Sequence, residues 1–204
     1  QRGARTFVNY CLNCHSAASM RYNRLMDVGL TEQQIKDNLI FTGAKVGDTM
    51  ASALARKDAK AFFGVEPPDL SVIARAKGAD YLYTYLRGFY RDESRPTGWN
   101  NVAFPSVGMP HVLWQLQGTP VMKTETVEHE GHKTEHRKLE LESRGSLSPM
   151  EYDNTVRDLV NYMVFMAEPE ATRRTQVGVV VLLALLVLLA LTWALKQEYW
   201  KDVH

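Results

Sequence analysis

From Val177 to Leu195 the chain runs nineteen residues, VGVVVLLALLVLLALTWAL, without a charge, and only Gly178, Thr192 and Trp193 interrupt the aliphatic side chains. At roughly 1.5 Å per residue such a helix is about 28 Å long, close to the hydrocarbon thickness of a bilayer. The run is apolar all round, and Trp193, Tyr199 and Trp200 stand at one end as interface anchors. The pattern predicts a transmembrane helix over residues 176–196, with 197–204 as a short tail. A buried core helix is the alternative, and it would be shorter with a polar stripe. Arg173 and Arg174 on one flank balance Lys196 and Lys201 on the other, so charge does not orient the span.

Residues 1–175 read differently, as one mainly α-helical extramembrane domain. Thr31-Glu32-Gln33-Gln34 is a capping box opening a helix whose apolar Ile35, Leu39 and Ile40 fall at helical spacing. Asp69 follows Pro67-Pro68 and is placed to cap a helix through Ser71, Ile73 and Ala74 that Gly78 stops. Asp80 starts another, with Tyr81, Leu82, Tyr85 and Leu86 before Gly88. Ser148-Pro149-Met150-Glu151 is a second capping box, followed by an apolar face of Tyr152, Val156, Leu159, Val160, Met163 and Val164 up to Pro169. Stretches 41–66 and 91–147 lack strong periodicity and read as long loops, which need something such as a large prosthetic group to pack against.

Composition narrows the function classes. Among 204 residues, Lys plus Arg number 24 against 23 for Asp plus Glu, which argues against a chain that grips nucleic acid through bulk charge. Gly43-Ala44-Lys45-Val46-Gly47 lacks the Lys-Ser/Thr ending of a phosphate loop. The opening stretch Gln1 to Asn9 has no apolar run of secretory-leader length, so the chain reads as processed or as starting within a longer one.

Both cysteines of the chain sit in Cys11-Leu12-Asn13-Cys14-His15, a C-x-x-C-H sequence. Two thiols about one helical turn apart can form thioethers with the vinyl groups of a haem, and the following imidazole then lies under the iron as proximal ligand. A thiol–disulfide centre would want a preceding strand in a βαβ unit, which Phe7 to Tyr10 is too short to suggest. A zinc site would need further ligands; His129, His132 and His136 lie among Glu128, Glu130, Lys133, Glu135, Arg137 and Lys138, and that stretch reads as a solvated protrusion.

An electron-transfer haem needs a distal ligand, and a soft thioether favours ferrous iron. Met150, Met163 and Met166 fall on the late helix, and Met20, Met26 and Met50 in early segments, where packing explains them. Met109 differs, because Phe104-Pro105-Ser106-Val107-Gly108-Met109-Pro110 combines a Gly that permits close approach with prolines that stiffen the loop. Met109 is the leading candidate and His111 the runner-up. Tyr81, Tyr83, Tyr85, Phe89 and Tyr90 read mostly as core and pocket packing.

Together these residues resemble the cytochrome c1 family from end to end. The likeness rests on Val8-Asn9-Tyr10-Cys11-Leu12-Asn13-Cys14-His15, on Pro67-Pro68-Asp69-Leu70-Ser71 with Arg75 after it, and on Asp80-Tyr81-Leu82-Tyr83. It continues in Gly108-Met109-Pro110 and Glu168-Pro169-Glu170. The resemblance implies one covalently bound haem c on Cys11 and Cys14, with His15 and Met109 as axial iron ligands. It also implies that the turn at Pro68 lies over the haem and that Arg75 or Lys77 meets a propionate. Many relatives carry an extra disulfide or an inserted segment near the distal loop. With only two cysteines, both in C-x-x-C-H, this chain is expected to hold that loop by packing alone.

The same resemblance implies a redox subunit of a quinol:cytochrome c reductase, the cytochrome bc1 complex, and no enzyme on its own. Its partners would be cytochrome b, the Rieske iron–sulfur protein as electron donor and cytochrome c as acceptor, in a dimeric complex. The haem domain would face the periplasm of a bacterial inner membrane, or the intermembrane space in the mitochondrial alternative. A membrane-anchored cytochrome c subunit of a terminal oxidase or another dehydrogenase is the competing function. The 94 positions from His15 to Met109 (109 − 15) and the Pro67–Ser71 turn favour the cytochrome c1 pattern.

Overall fold

Both predicted capping boxes form. In a computed structural model describing residues 1–129 and 132–202, the Thr31 hydroxyl accepts from the Gln34 N–H while the Gln34 side chain accepts from the Thr31 N–H, opening helix α2 (Glu32–Leu39) on a face of Ile35 and Leu39. Ser148 and Glu151 exchange the same pair of bonds at the start of α7 (Pro149–Ala167). The buried face of α7 is Tyr152, Val156, Leu159, Val160, Tyr162, Met163 and Met166; Val164 points outward and is 43% exposed.

The first helix, α1 (Arg2–Tyr10), lies against α7. Gly3 allows the crossing, since a Cβ there would run into the Asp158 carbonyl. Phe7 meets Tyr162 with ring centroids 5.3 Å apart, and Arg2 Nε donates to Asp158 at 2.6 Å. Behind this crossing the core gathers Ala4, Val8 and Leu12 with Val156 and Leu159, all nearly inaccessible. A short antiparallel pair, β1 (Ala17–Arg21) with β2 (Thr49–Met50), and a 3-10 helix (Tyr22–Val28) close the other side.

Asp69 departs from the expected cap. Helix α4 (Ile73–Lys77) starts later, after Val72, while the Asp69 carboxylate ties its own turn to β1. Helix α5 (Ala79–Arg87) follows, and both α4 and α5 pack on α7. The Tyr152 hydroxyl donates to the Leu86 carbonyl at 2.9 Å across the α5–α7 contact.

The two stretches read as long loops contain regular structure. Residues 41–66 hold β2 and α3 (Arg56–Phe63), an eight-residue helix with a single buried position, Ala59, too little for an apolar stripe. Residues 91–147 hold most of a sheet of order β4-β3-β5-β6: β3 (Phe89–Arg91), β4 (Trp99–Asn101), and a long hairpin of β5 (Gly118–His129) and β6 (His132–Arg144). A four-residue helix, α6 (Trp114–Gln117), leads into it. The β5–β6 register runs from Gly118↔Arg144 to His129↔His132. Period-two apolar alternation is confined to Lys138-Leu139-Glu140-Leu141-Glu142, too short a stretch to betray the hairpin in the sequence. Backbone pairing and cross-strand contacts hold the strands, with Lys123 Nζ 2.7 Å from Glu140 and Ser143 Oγ donating to Thr119 at 2.9 Å. The side chains of His129, His132 and His136 lie outside the described residues.

The chain divides into two compact units, Gln1–Ala167 and Glu168–His204. In the second, α8 (Ala171–Tyr199) is the one long apolar helix found among the described residues, and it fits a membrane anchor. Thr192, a polar residue in that span, donates its hydroxyl to the Leu188 carbonyl at 2.9 Å, so no donor is left facing an apolar surrounding.

Candidate haem-ligand site

The C-x-x-C-H residues continue directly from α1. The Cys11 N–H donates to the Phe7 carbonyl at 2.8 Å, and the Cys11 carbonyl accepts from Cys14 at 3.1 Å and from His15 at 2.8 Å. Tight turns on the end of a helix therefore keep the two thiols and the imidazole on consecutive steps of one coil. Because the preceding element is a helix, the strand that a thiol–disulfide βαβ unit would need is not there. Both thiols are free, Cys11 buried in the core and Cys14 half-buried. Burial pushes the Cys11 thiol up to about 12, with Cys14 adding to it, and raises Cys14 as well. Both are neutral S–H groups at physiological pH.

His15 is held by the Pro67–Ser71 turn. Its Nδ1 lies 2.7 Å from the Pro68 carbonyl, which can only accept, so Nδ1 carries the proton and Nε2 keeps its lone pair. Burial lowers the His15 pKa, while the Pro68 bond and the Asp69 charge oppose. The turn is stitched to the residues after His15: Leu70 N–H donates to Ser16 O at 2.8 Å, Ala18 N–H to Asp69 at 2.8 Å and Ser19 N–H to Ser71 Oγ at 3.0 Å. Burial works against the Asp69 charge, yet the Ser71 hydroxyl and the Ala18 and Ser71 N–H groups hold that carboxyl below its usual range, helped by His15.

The Met109 loop is braced by polar side chains, which corrects the expectation that packing alone would hold it. Asn101, fully buried, donates Nδ2 to the Tyr85 carbonyl at 2.7 Å, while its Oδ1 accepts from Ala103 N–H at 2.8 Å and Phe104 N–H at 3.2 Å. Asn100 Oδ1 accepts from Ser106 N–H at 2.8 Å, and its Nδ2 donates to Asp92 at 2.8 Å. Arg95 Nη2 donates to the Ser106 carbonyl at 2.9 Å. Ser106 has φ 63°, a left-handed conformation costly for a residue with a side chain, and Asn100 and Arg95 grip it from both of its backbone polar groups. At Gly108 a Cβ would stand 3.1 Å from Val65 Cγ2 and 3.4 Å from the Phe63 carbonyl, so the glycine lets the loop approach the end of α3. Met109 is half-buried, and its Sδ accepts from the Tyr85 hydroxyl at 3.4 Å. Burial, with Tyr81 adding, pushes the Tyr85 phenol up to about 12.

Helices α4 and α5 link the two sides: the chain enters α4 from the turn that holds His15, and α5 carries the tyrosine that meets Met109. Tyr81 stacks on Tyr85 at 6.0 Å and Tyr85 meets Phe89 edge-on at 5.2 Å, the core and pocket packing expected of this aromatic run. Arg75 and Lys77 are exposed on α4, and Lys77 Nζ lies 5.8 Å from the Tyr81 ring centre. His111 is 1% exposed, stacked on Phe89 at 5.0 Å and edge-on to Trp99 at 5.1 Å. Burial draws its pKa down to about 4 against an opposing pull from Gln117, which leaves a neutral ring enclosed by aromatics.

Sequence reasoning missed Asn100 and Asn101 as parts of this site, and read Tyr85 as packing without its bond to Met109. Adjacent asparagines signal a turn, but nothing local says which distant N–H groups their amides will reach. The donor set fits a c-type haem: two neutral thiols, an imidazole with its Nε2 lone pair available, and a soft thioether. No group of three or more His, Cys, Asp or Glu side chains able to hold a metal ion occurs among the described residues.

A family model described as the Cytochrome C1 family matches residues 1–130 and 145–203; strand β6 falls wholly in the unmatched stretch. The ammonia monooxygenase gamma subunit of Nitrosomonas europaea is 52% identical over all of this chain and 83% of its own length. Cytochrome c1 of Allochromatium vinosum is 47% identical over all of this chain and 84% of its own. Cytochrome c1 of Rhodospirillum rubrum is 28% identical over all of this chain and 81% of its own.

Proposed function

Because the chain belongs to the cytochrome c1 family, we propose that it is the haem c electron-transfer subunit of a quinol:cytochrome c oxidoreductase, taking one electron from a Rieske iron–sulfur protein and passing it to a cytochrome c. Cytochrome b and the Rieske protein are its neighbours in a dimeric bc1-type complex. Residues 1–175 form the haem domain on the periplasmic side of a bacterial inner membrane, 176–196 cross it, and 197–204 form a cytoplasmic tail. The full-length likeness to a bacterial cytochrome c1 supports the assignment, and the apolar α8 supports single-pass anchoring.

When bound, a c-type haem supplies a one-electron ferric/ferrous couple. Cys11 and Cys14 hold one such haem by thioether bonds. His15 offers Nε2 to the iron, and the observation that supports this role most strongly is the Nδ1–H bond to Pro68, which fixes the tautomer and the ring plane. Met109 would offer a thioether as the second donor, a soft ligand that favours ferrous iron and so raises the potential. Arg75 or Lys77 neutralises a propionate from the exposed side of α4. No proton transfer is asked of these residues.

A second reading has one observation in its favour: the relative at 52% identity is named as a subunit of ammonia monooxygenase. In that reading the same ligands serve a different membrane assembly. Gentle solubilisation of native membranes and isolation through this chain separates the two. Co-purification of a b-type cytochrome and a Rieske protein supports the quinol:cytochrome c assignment, and co-purification of monooxygenase subunits without them overturns it.

A further inference from the structure

Tyr85 is the one side chain described above whose polar hydrogen is aimed at the Met109 sulfur, with O to S 3.4 Å. The ring is held on several sides. It stacks on Tyr81 with 22° between planes, meets Phe89 edge-on, and its own backbone carbonyl is pinned by the buried Asn101 amide. Asn101 also holds the start of the Met109 loop, so one buried side chain ties the α5 backbone at Tyr85 to the loop that carries the thioether. This leaves the hydroxyl a narrow range of directions.

We propose that the Tyr85 hydroxyl, by donating to the Met109 sulfur, sets the potential of the bound iron. The proposal rests on the reading of Met109 as an axial ligand. A thioether is a weak acceptor, so the bond adds little to folding stability; its effect is on the charge balance at the metal. The positive end of the O–H dipole draws electron density from the sulfur, which disfavours the more positive ferric form and raises the potential. In a half-buried setting water screens this dipole poorly. Tyr85 acts through Met109 and is a positioning and tuning residue, while the phenylalanine of the same shape would preserve the aromatic packing and lose only the dipole.

The test compares the haem-loaded full chain in detergent with Tyr85→Phe, Tyr85→Leu and Tyr83→Phe, by equilibrium redox titration and by the near-infrared sulfur-to-iron charge-transfer band of the ferric form. Tyr83, lying under the Arg87 guanidinium 4.9 Å from its ring centre, controls for loss of a phenol elsewhere on α5. The expected result is a fall in midpoint for Tyr85→Phe and for Tyr85→Leu alike, equivalent to an about threefold shift in the ferric/ferrous ratio, or roughly 28 mV at 59 mV per tenfold for one electron. Tyr83→Phe leaves the midpoint in place, and the band persists, displaced, in Tyr85→Phe. An unchanged midpoint in Tyr85→Phe with the band present overturns this proposal and leaves the Met109 ligand intact. A fall in Tyr85→Leu alone assigns the effect to ring packing and overturns it too, as does an equal fall in Tyr83→Phe. Absence of the band from the parent chain overturns the Met109 ligand and this proposal with it.

Discussion

Five consecutive residues set the thiols and the imidazole, whereas the thioether at Met109 depends on side chains drawn from positions 65 to 101. On the His15 side, the end of α1 and two tight turns do the positioning, and the outside help comes from the turn at Pro68 to Ser71 and from Ser52, whose hydroxyl donates to the Asn13 carbonyl at 2.8 Å. On the Met109 side, Asn100, Asn101, Arg95 and Gly108 each bring in a partner distant in sequence or hold the loop against itself. A ligand placed by local backbone geometry survives changes elsewhere; one placed by a chain of buried amides shares the fate of every amide in the chain. The two sides should therefore fail differently when altered.

The largest effect is expected on the local side. Replacing Cys11 and Cys14 together by Ala removes both tethers, and the chain from haem-maturing cells should then give no haem-stained band after denaturation; retained covalent haem would remove the C-x-x-C-H assignment. Next comes Met109→Leu. The volume is conserved, so stability should change by less than about 1.5 kcal/mol. The six-coordinate low-spin spectrum should be lost and the midpoint should fall, both read from one redox titration. If spectrum and midpoint persist, another residue is the distal ligand.

Asn101→Ala sharpens the contrast. It strips partners from two N–H groups and one carbonyl around a fully buried side chain, and an unsatisfied buried group costs about 1–3 kcal/mol; with the Phe104 N–H on an exposed residue, roughly 2–3 kcal/mol of domain stability should go. Chemical denaturation measures the loss. Covalent haem should remain while the methionine ligation weakens, which distinguishes the distal brace from the attachment side. A stability change below about 0.5 kcal/mol would mean that packing, not the amide network, holds the loop. The smallest effect belongs to the hairpin: removing 124–137 and joining the strands by a tight turn leaves the Lys123–Glu140 pair and should shift stability by no more than about 0.5 kcal/mol. Quinol-driven turnover that survives this deletion marks the hairpin as dispensable for electron transfer, and its loss would make the hairpin a docking element.

The same contrast explains what could be read in the sequence. Capping boxes at Thr31 and Ser148, the apolar face of α7 and the span in α8 are local patterns, and each forms. The C-x-x-C-H residues and the Gly-Met-Pro loop are equally local. Asp69 carries a capping signal but spends its carboxylate on Ala18 and Ser71, because the tertiary partner lies closer than the helix that begins after Val72. The β5–β6 hairpin was invisible because its stability lies in pairing between strands rather than in an apolar face. The Asn101 and Tyr85 roles depend on contacts formed only once α5 and the loop have met.

Covalent attachment of haem is the claim on which the rest depends, and peroxidase staining of the chain after denaturing electrophoresis tests it most directly. In cells competent for cytochrome c maturation, a stained band is expected near the 23.2 kDa of the polypeptide. A protein band of that mass without stain would contradict it.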